Sequence, residues 1–137
     1  MIVFKQKTYS DEDRALVLSF LCQMEGWKTI ARNFHWSSLS KSIHEYLEDL
    51  EGELREKQDE IAEVYQGLTD QRIGAGEIIS KTCECGGPLE FIDLIISQTL
   101  RFYEGVPETI EYCGLRSVIE ELVAVGQKYR YLFRLCE

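Results

Sequence analysis

Proline is almost absent from this chain, and no long hydrophobic run interrupts its polar residues. Two of the 137 residues are proline, so most of the chain is free to form regular structure. The most apolar segment, Leu89 to Ile96, is far too short to span a bilayer, and residues 1–13 contain no apolar run of signal-peptide length. We therefore expect a cytoplasmic protein with no membrane span.

Basic residues are scarce relative to acidic ones. The chain has 15 Lys and Arg against 24 Asp and Glu, which gives a formal net charge of −9. Binding to a phosphate backbone or to anionic lipid depends on clustered basic side chains that release counterions. The charge balance therefore argues against unaided binding to nucleic acid or membranes and favours metal cations as ligands.

Cysteines are few and follow no disulfide framework. Their number, five, is odd, which is typical of reduced thiols. Cys83 and Cys85 could bind a metal, but zinc takes four ligands and no second Cys or His pair lies at finger spacing, so we interpret them as loop thiols. Cys22 and Cys113 fall within predicted helices, where we expect small core residues.

Apolar residues at helical spacing predict one all-α domain, residues 1–137, with four helices. The chain is 45% hydrophobic, which is too apolar for a disordered protein and enough for a single core. The predicted helices span approximately residues 11–36, 41–66, 88–104 and 108–135. Residues 68–87 contain four glycines and no helical period. Four helices with one long connection between the second and the third predict a ferritin-like four-helix bundle.

The third and fourth helices allow more detailed expectations. The third is apolar almost all round, so we expect it to be covered on more than one side. The fourth has an apolar stripe with alternating steps of three and four, which is typical of a bundle seam. That stripe consists of Leu115, Val118, Leu122, Val125, Tyr129, Leu132 and Cys136.

The only two histidines of the chain flank the turn between the first two helices. His35 and His44 are equally far from the centre of this turn. Residues equidistant from the turn lie level in an antiparallel helix pair, so the two imidazoles converge if both point to the same side. Imidazole nitrogens are common ligands for iron and zinc.

The second helix carries nine of the 24 acidic residues. Such a run is by default a solvated face, but the helical angle separates some of its members. With His44 at zero, Glu48, Asp59 and Glu63 lie at about 40°, 60° and 100°, away from the apolar stripe. One face of the helix therefore carries four potential ligands.

A single subunit cannot close a site from these residues. Asp59 and Glu63 lie about 22 and 28 Å beyond His44 along the helix axis, too far to share one ion with it. Two antiparallel copies of the helix would place His44 level with Glu63 of the other copy, and Glu48 level with Asp59, because both pairs of residue numbers add up to the same value. The copies would cross beside Gly52, which permits close approach. We therefore predict a metal site at a two-fold dimer interface.

The donor set favours iron. A mixed nitrogen and carboxylate site with open positions suits Fe(II) and its oxidation, whereas structural zinc prefers thiolates or more histidine. The di-iron pattern within one bundle, Glu-x-x-His on two helices, is absent, because Arg32 and Lys41 occupy the positions three before the histidines.

The stretch from Arg32 to Gly67, about a quarter of the chain, resembles the Dps family, the DNA-binding proteins from starved cells, which are ferritin-like miniferritins. The residues at the spacing of the family are His35, Trp36, His44, Glu48, Asp59 and Glu63. The resemblance implies a ferroxidase that oxidises Fe(II), often with hydrogen peroxide, at sites between two-fold-related subunits. It also implies storage of ferric mineral inside a dodecameric shell.

The resemblance also implies a role for each of these residues. His35 and His44 of one subunit would act with Asp59 and Glu63 of the other as catalytic, iron-binding residues. Glu48 would be a variable ligand or would orient His44. Trp36 has two possible roles, which both remain open: it packs at the end of the helix, or it lies beside the iron.

Two features differ from the usual family pattern. The histidines are three residues closer together than is usual, so the connection between the first two helices is shorter, and this leaves undetermined whether a second iron site is kept. Only Lys5 and Lys7 precede the first helix, where DNA-coating members carry a longer basic tail, so DNA binding is not expected. The alternative function is a ferritin-like structural or DNA-associated interaction module without redox turnover.

Overall fold

The computed structural model describes residues 9–137, so the expectation about Lys5 and Lys7 lies outside the described residues. Its α-helices are α1 (Asp11–Ser37), α2 (Lys41–Thr69), α3 (Pro88–Gly105) and α4 (Cys113–Leu135), with a 3-10 turn at Ile110–Tyr112. The fold of this part of the chain is all-α, as predicted. The helix ends agree with the predicted ones to within three residues, except that the fourth helix begins five residues later than expected.

Serine side chains cap the starts of the first two helices. Ser10 accepts a hydrogen bond from the amide of Asp13, and Ser40 accepts one from the amide of Ile43. Helix α2 passes through Gly67 and ends at Thr69, and its C-cap, Asp70, adopts the left-handed conformation at φ 55°. The helix therefore ends three residues beyond the predicted end at residue 66.

Contacts between the helices fix their directions. In the α1–α2 pair, Arg32 contacts Glu51, and the backbone of Leu21 contacts Gln58. Each step forward on one helix is a step back on the other, so this pair is antiparallel. The α3–α4 pair is antiparallel by the same criterion, with contacts Asp93–Arg130, Ile96–Gly126 and Tyr103–Glu120.

Residues 70–87, here called the strap, connect α2 to α3 along the outside of α1. The amide of Lys81 donates to the carbonyl oxygen of Cys22, and that of Ile79 donates to the Cys22 thiol. Near the start of α1, Arg14 pairs with Glu77 at 2.9 Å. The strap thus runs the full length of α1, so α3 starts at the end of the bundle where α2 also starts. The helix directions are therefore up, down, down and up.

The core lies between the four helices and differs from the expected stripe on α4. The buried α4 positions are Leu115, Ile119, Leu122, Gly126, Tyr129 and Phe133. The predicted members Val118, Val125 and Leu132 are only half-buried, and Cys136 is exposed. The buried stripe is rotated from the predicted one because Gly126 faces inward, where its missing side chain leaves room for Ile96 of α3.

Two other expectations about burial are wrong for the single chain. Helix α3 is covered on one side only, since its buried residues share one face and Leu100 is exposed. Cys113 is exposed, whereas Cys22 is buried as expected. Cys113 begins α4 on the outer side, and Leu115 and Tyr112 fill the core there instead. Within residues 9–137, no helix combines the length and apolar character that a bilayer crossing requires.

Candidate metal centre

His35 and His44 lie against each other at the end of the bundle where α1 meets α2. Their ring centroids are 3.8 Å apart and the rings are nearly parallel, with an interplanar angle of 21°. Nδ1 of His35 donates to the carbonyl oxygen of His44 at 2.8 Å, and Nδ1 of His44 donates to the carbonyl oxygen of His35 at 2.7 Å. The backbone carbonyl of each histidine therefore fixes the orientation of the other histidine's ring.

These reciprocal hydrogen bonds determine the tautomer of both neutral rings. A carbonyl oxygen only accepts, so the proton of each neutral imidazole is on Nδ1 and a lone pair remains on Nε2. Within residues 9–137, neither Nε2 atom has a hydrogen-bond partner. This is the arrangement of a metal-ligating histidine, whose other nitrogen donates to a carbonyl or a carboxylate.

An exposed acidic ridge runs along α2 below the histidines. We define the acidic ridge as Glu45, Glu48, Glu56, Asp59 and Glu63, all of which are exposed. None of the five carboxylates has an ion-pair partner among residues 9–137.

Three acids on other faces of α2 are neutralised within the chain. Glu51 pairs with Arg32 at 2.6 Å, Glu53 pairs with Lys128 of α4 at 2.9 Å, and Glu60 contacts Lys57. These three flank acids are therefore paired, whereas the carboxylates of the acidic ridge remain free to bind a cation.

Gly52 lies in the middle of the acidic ridge, where no packing contact among residues 9–137 requires a glycine. A Cβ atom placed on Gly52 would meet nothing within 4 Å, whereas one on Gly26 or Gly126 would clash with the strap or with Ile96. A glycine inside an exposed helix costs about 1 kcal/mol relative to alanine. The absence of a side chain at Gly52 is therefore not explained by contacts within the chain.

One chain does not assemble the full set of predicted ligands. The structure brings His35 and His44 together, but Asp59 and Glu63 lie several turns away on α2. Among residues 9–137, no three His, Cys, Asp or Glu side chains are grouped so that they could hold a metal ion. A site that uses both the histidines and these acids therefore needs a second copy of the chain.

Large apolar side chains beside the histidine pair face solvent. Trp36 is 70% exposed, and Leu39, in the turn, is fully exposed. Trp36 therefore does not pack at the helix end of its own chain. Its ring is accessible to solvent.

Two basic residues of α4 are engaged with acids of the same chain. Lys128 pairs with Glu53 at 2.9 Å, and Arg130 pairs with Asp93 at 2.8 Å. These pairs stabilise the bundle from outside and neutralise the positive charges of Lys128 and Arg130.

Sequence reasoning did not identify the backbone carbonyls that orient the imidazoles. The equal distance of His35 and His44 from the turn indicated their proximity, but the ring orientations depend on the packing angle between α1 and α2. No family model matches the chain, and comparisons with curated proteins and with solved structures returned no significant match.

Proposed function

We propose that this protein is a Dps-like ferroxidase that binds and oxidises Fe(II) at sites shared between two copies of the chain and stores the ferric product inside a hollow oligomer. The observation that carries the proposal is the reciprocal hydrogen bonding of His35 and His44, which leaves both Nε2 atoms free beside the acidic ridge. Fe(II) is the substrate, and imidazole nitrogens together with carboxylates suit it.

Each chain would contribute both halves of two equivalent sites. Antiparallel crossing of two α2 helices at Gly52 brings the histidine pair of one copy level with Glu63 of the other, and Glu48 level with Asp59. The open space at Gly52 permits the close approach that this crossing needs. The same two-fold operation would cover Trp36, which is otherwise exposed.

The charges on the acidic ridge make a cation part of this interface. Crossing two α2 helices brings unpaired carboxylates of both copies face to face, and like charges repel one another. Iron bound between them offsets this repulsion. Carboxylates also stabilise the ferric over the ferrous state, which favours loss of an electron from the bound ion.

The redox balance requires two ferrous ions for each peroxide. Two Fe(II) ions each give one electron to hydrogen peroxide, the O–O bond breaks, and two hydroxide ions form. In this scheme His35, His44, Asp59 and Glu63 bind the iron, and Glu48 either binds it or orients His44. In this scheme the exposed side chain of Trp36 would intercept an oxidising radical.

The topology of the bundle also supports the proposal. Its up, down, down, up order with a long connection between α2 and α3 is the arrangement that ferritin-like bundles use. In such an oligomer the chain's net charge of −9 would help to concentrate ferrous ions at acidic surfaces.

Stopped-flow absorbance of anaerobic Fe(II) mixed with peroxide tests the proposal. We expect a fast ferric signal from the unmodified protein and loss of this early phase in Asp59→Ala. Glu56→Ala is the matched control, since it removes an equally exposed and unpaired carboxylate of the same ridge that is not among the proposed ligands. A fast phase in Asp59→Ala equal to that of the unmodified protein would contradict the assignment.

The oligomeric state provides a second, independent test. Light scattering and sedimentation should show a symmetric oligomer. The amount of iron that this oligomer binds should be proportional to the number of its two-fold interfaces. A protein that stays monomeric at all concentrations, with and without Fe(II), cannot contain the proposed site. A gel shift with DNA and no iron turnover would instead favour an interaction module.

A further inference from the structure

An open groove runs between α3 and α4 on the outer side of the bundle. Its volume is about 660 Å³, which is within the range of small-molecule sites. The apolar side chains that line it are Ile96 and Leu100 of α3 and Tyr131 and Leu135 of α4. Ile96 is half-buried and the other three are exposed. The single chain therefore leaves apolar surface uncovered here, on the side of α3 where the sequence predicted a further contact.

The charged side chains of the groove lie at one of its ends. Because α3 and α4 are antiparallel, Asp93 lies level with Arg130, and Ile96 lies level with Gly126. Arg134 is one helical turn beyond Arg130, on the same face of α4. It is therefore farther still from the level of Ile96, so the groove has a basic end and an apolar end.

The basic end carries one uncompensated positive charge. Nε of Arg130 donates to the Asp93 carboxylate at 2.8 Å, and this pair is neutral as a whole. Arg134 also lines the groove, is exposed and forms no ion pair among residues 9–137. A single free guanidinium attracts a ligand with one negative charge, whereas the nearby Asp93 carboxylate repels a second negative charge.

We propose that this groove binds a free medium-chain fatty acid, with its carboxylate on Arg134 and its alkyl chain along Ile96 and Leu100. The planar guanidinium group matches the geometry of a carboxylate and forms charge-assisted hydrogen bonds with it. From Asp93 to Leu100 the groove extends for about 10 Å along the axis of α3, which is long enough for a medium-chain tail. Each methylene group that leaves water for the apolar wall favours binding.

A second copy of the chain suits this groove less well than an anionic amphiphile does. If two grooves met in antiparallel fashion about a two-fold axis, Arg134 of each copy would lie on the apolar end of the other. If they met in parallel, the two Arg134 side chains would face each other. Either contact would take an unpaired charge out of water, which is costly. A carboxylate head group offsets this charge, and its alkyl chain covers the apolar wall.

Equilibrium dialysis of the full chain against radiolabelled decanoate, below the concentration at which decanoate forms micelles, tests this inference. We expect one decanoate per chain. Arg134→Gln and Leu100→Ser should each weaken binding by about 10-fold or more. The matched controls are Arg101→Gln and Ile110→Ser, which remove an exposed arginine without an ion pair and an exposed apolar side chain outside the groove. Both controls should bind decanoate as the unmodified protein does.

Decanol, which has the same alkyl chain and no charge, separates the head group from the tail. The unmodified protein should bind decanol more weakly than decanoate, and Arg134→Gln should bind decanol as the unmodified protein does. Circular dichroism checks that each variant is folded. If Arg134→Gln weakens the binding of decanol and decanoate equally, the guanidinium does not hold the carboxylate, and the inference is wrong.

Three other results would overturn the inference. Unchanged decanoate affinity in folded Leu100→Ser would place the ligand elsewhere. Binding to vesicles of phosphatidylcholine and phosphatidylglycerol without binding of free decanoate would make the groove a lipid-surface contact. Weaker self-association of Leu100→Ser, with no decanoate bound by the unmodified protein, would make it an interface between copies. Asp59→Ala should bind decanoate normally, because the groove is independent of the proposed iron site.

Discussion

The backbone of Lys81 lies directly on Gly26, so that a Cβ atom at Gly26 would overlap the carbonyl group of Lys81. The clash is with backbone, which cannot move aside as the end of a flexible side chain can. This contact allows the strap to approach α1 closely enough for the amide of Lys81 to reach the carbonyl oxygen of Cys22. The strap's path therefore depends on the absence of one side chain.

Replacing Gly26 with alanine should displace the strap and destabilise the protein. We expect Gly26→Ala to lower the free energy of unfolding by about 1–3 kcal/mol, as overpacking does, and to speed hydrogen exchange at the Lys81 amide. Urea denaturation and exchange mass spectrometry measure the two effects. Gly67→Ala is the control, because its Cβ would meet nothing within 4 Å. Equal stability of Gly26→Ala and the unmodified protein would show that the strap is not held there.

Replacing Gly52 with alanine should have opposite effects on the single chain and on its association. Gly52 is exposed inside α2, so Gly52→Ala should stabilise the isolated chain by about 0.5–1 kcal/mol. It should also weaken the dimer, since a methyl group on each copy would separate two helices that cross there. Denaturation of dilute protein and sedimentation at higher concentration test the two parts. Tighter or unchanged association of Gly52→Ala would place the interface elsewhere.

The sequence predicted local structure more completely than it predicted the strap. Helix positions follow from apolar spacing and from caps such as Ser10 and Ser40, which act over a few residues. The proximity of His35 and His44 followed from their equal distance from the turn. The strap has no periodicity, and its position depends on hydrogen bonds to Cys22 and on the contact at Gly26, which only the folded α1 provides.

The candidate site shows a related limit. Helical angles identified the face that holds Glu48, Asp59 and Glu63, and these residues are exposed together along α2. Which acids remain unpaired depends on cations from distant parts of the chain, such as Lys128 opposite Glu53. How two copies meet depends on a second chain, so this part of the site stays a prediction.

The Arg14–Glu77 pair should make the strap sensitive to acid. The amide of Gly74 and then the Arg14 guanidinium hold the pKa of Glu77 below its usual value of 4.5. A carboxyl group whose pKa is lower in the folded state stabilises the fold above its unfolded pKa, and this contribution is lost as the pH falls through the folded pKa. We therefore expect Glu77→Gln to lower the urea midpoint at pH 7 and to have a much smaller effect at pH 3.

The control for this measurement is Glu84→Gln, at an exposed strap residue that has no ion pair among residues 9–137. Its urea midpoint should match that of the unmodified protein at both pH values. A Glu77→Gln penalty that is the same at pH 3 and pH 7 would mean that packing of the side chain, and not its charge, attaches this part of the strap.

Alkylation kinetics should show that Cys83 suppresses the reactivity of Cys85. With a pKa of about 11, roughly one Cys85 thiol in a thousand is ionised at pH 8, so its rate of reaction with iodoacetamide should keep rising with pH up to about 11. Because burial is the first cause of this shift and Cys83 the next, Cys83→Ser should lower the pKa of Cys85 and increase its alkylation rate at pH 8. Peptide mass spectrometry measures the rate, with Cys136 as the reference thiol in the same sample. An unchanged pH profile in Cys83→Ser would show that burial alone keeps Cys85 protonated and that the two thiols do not act as a pair.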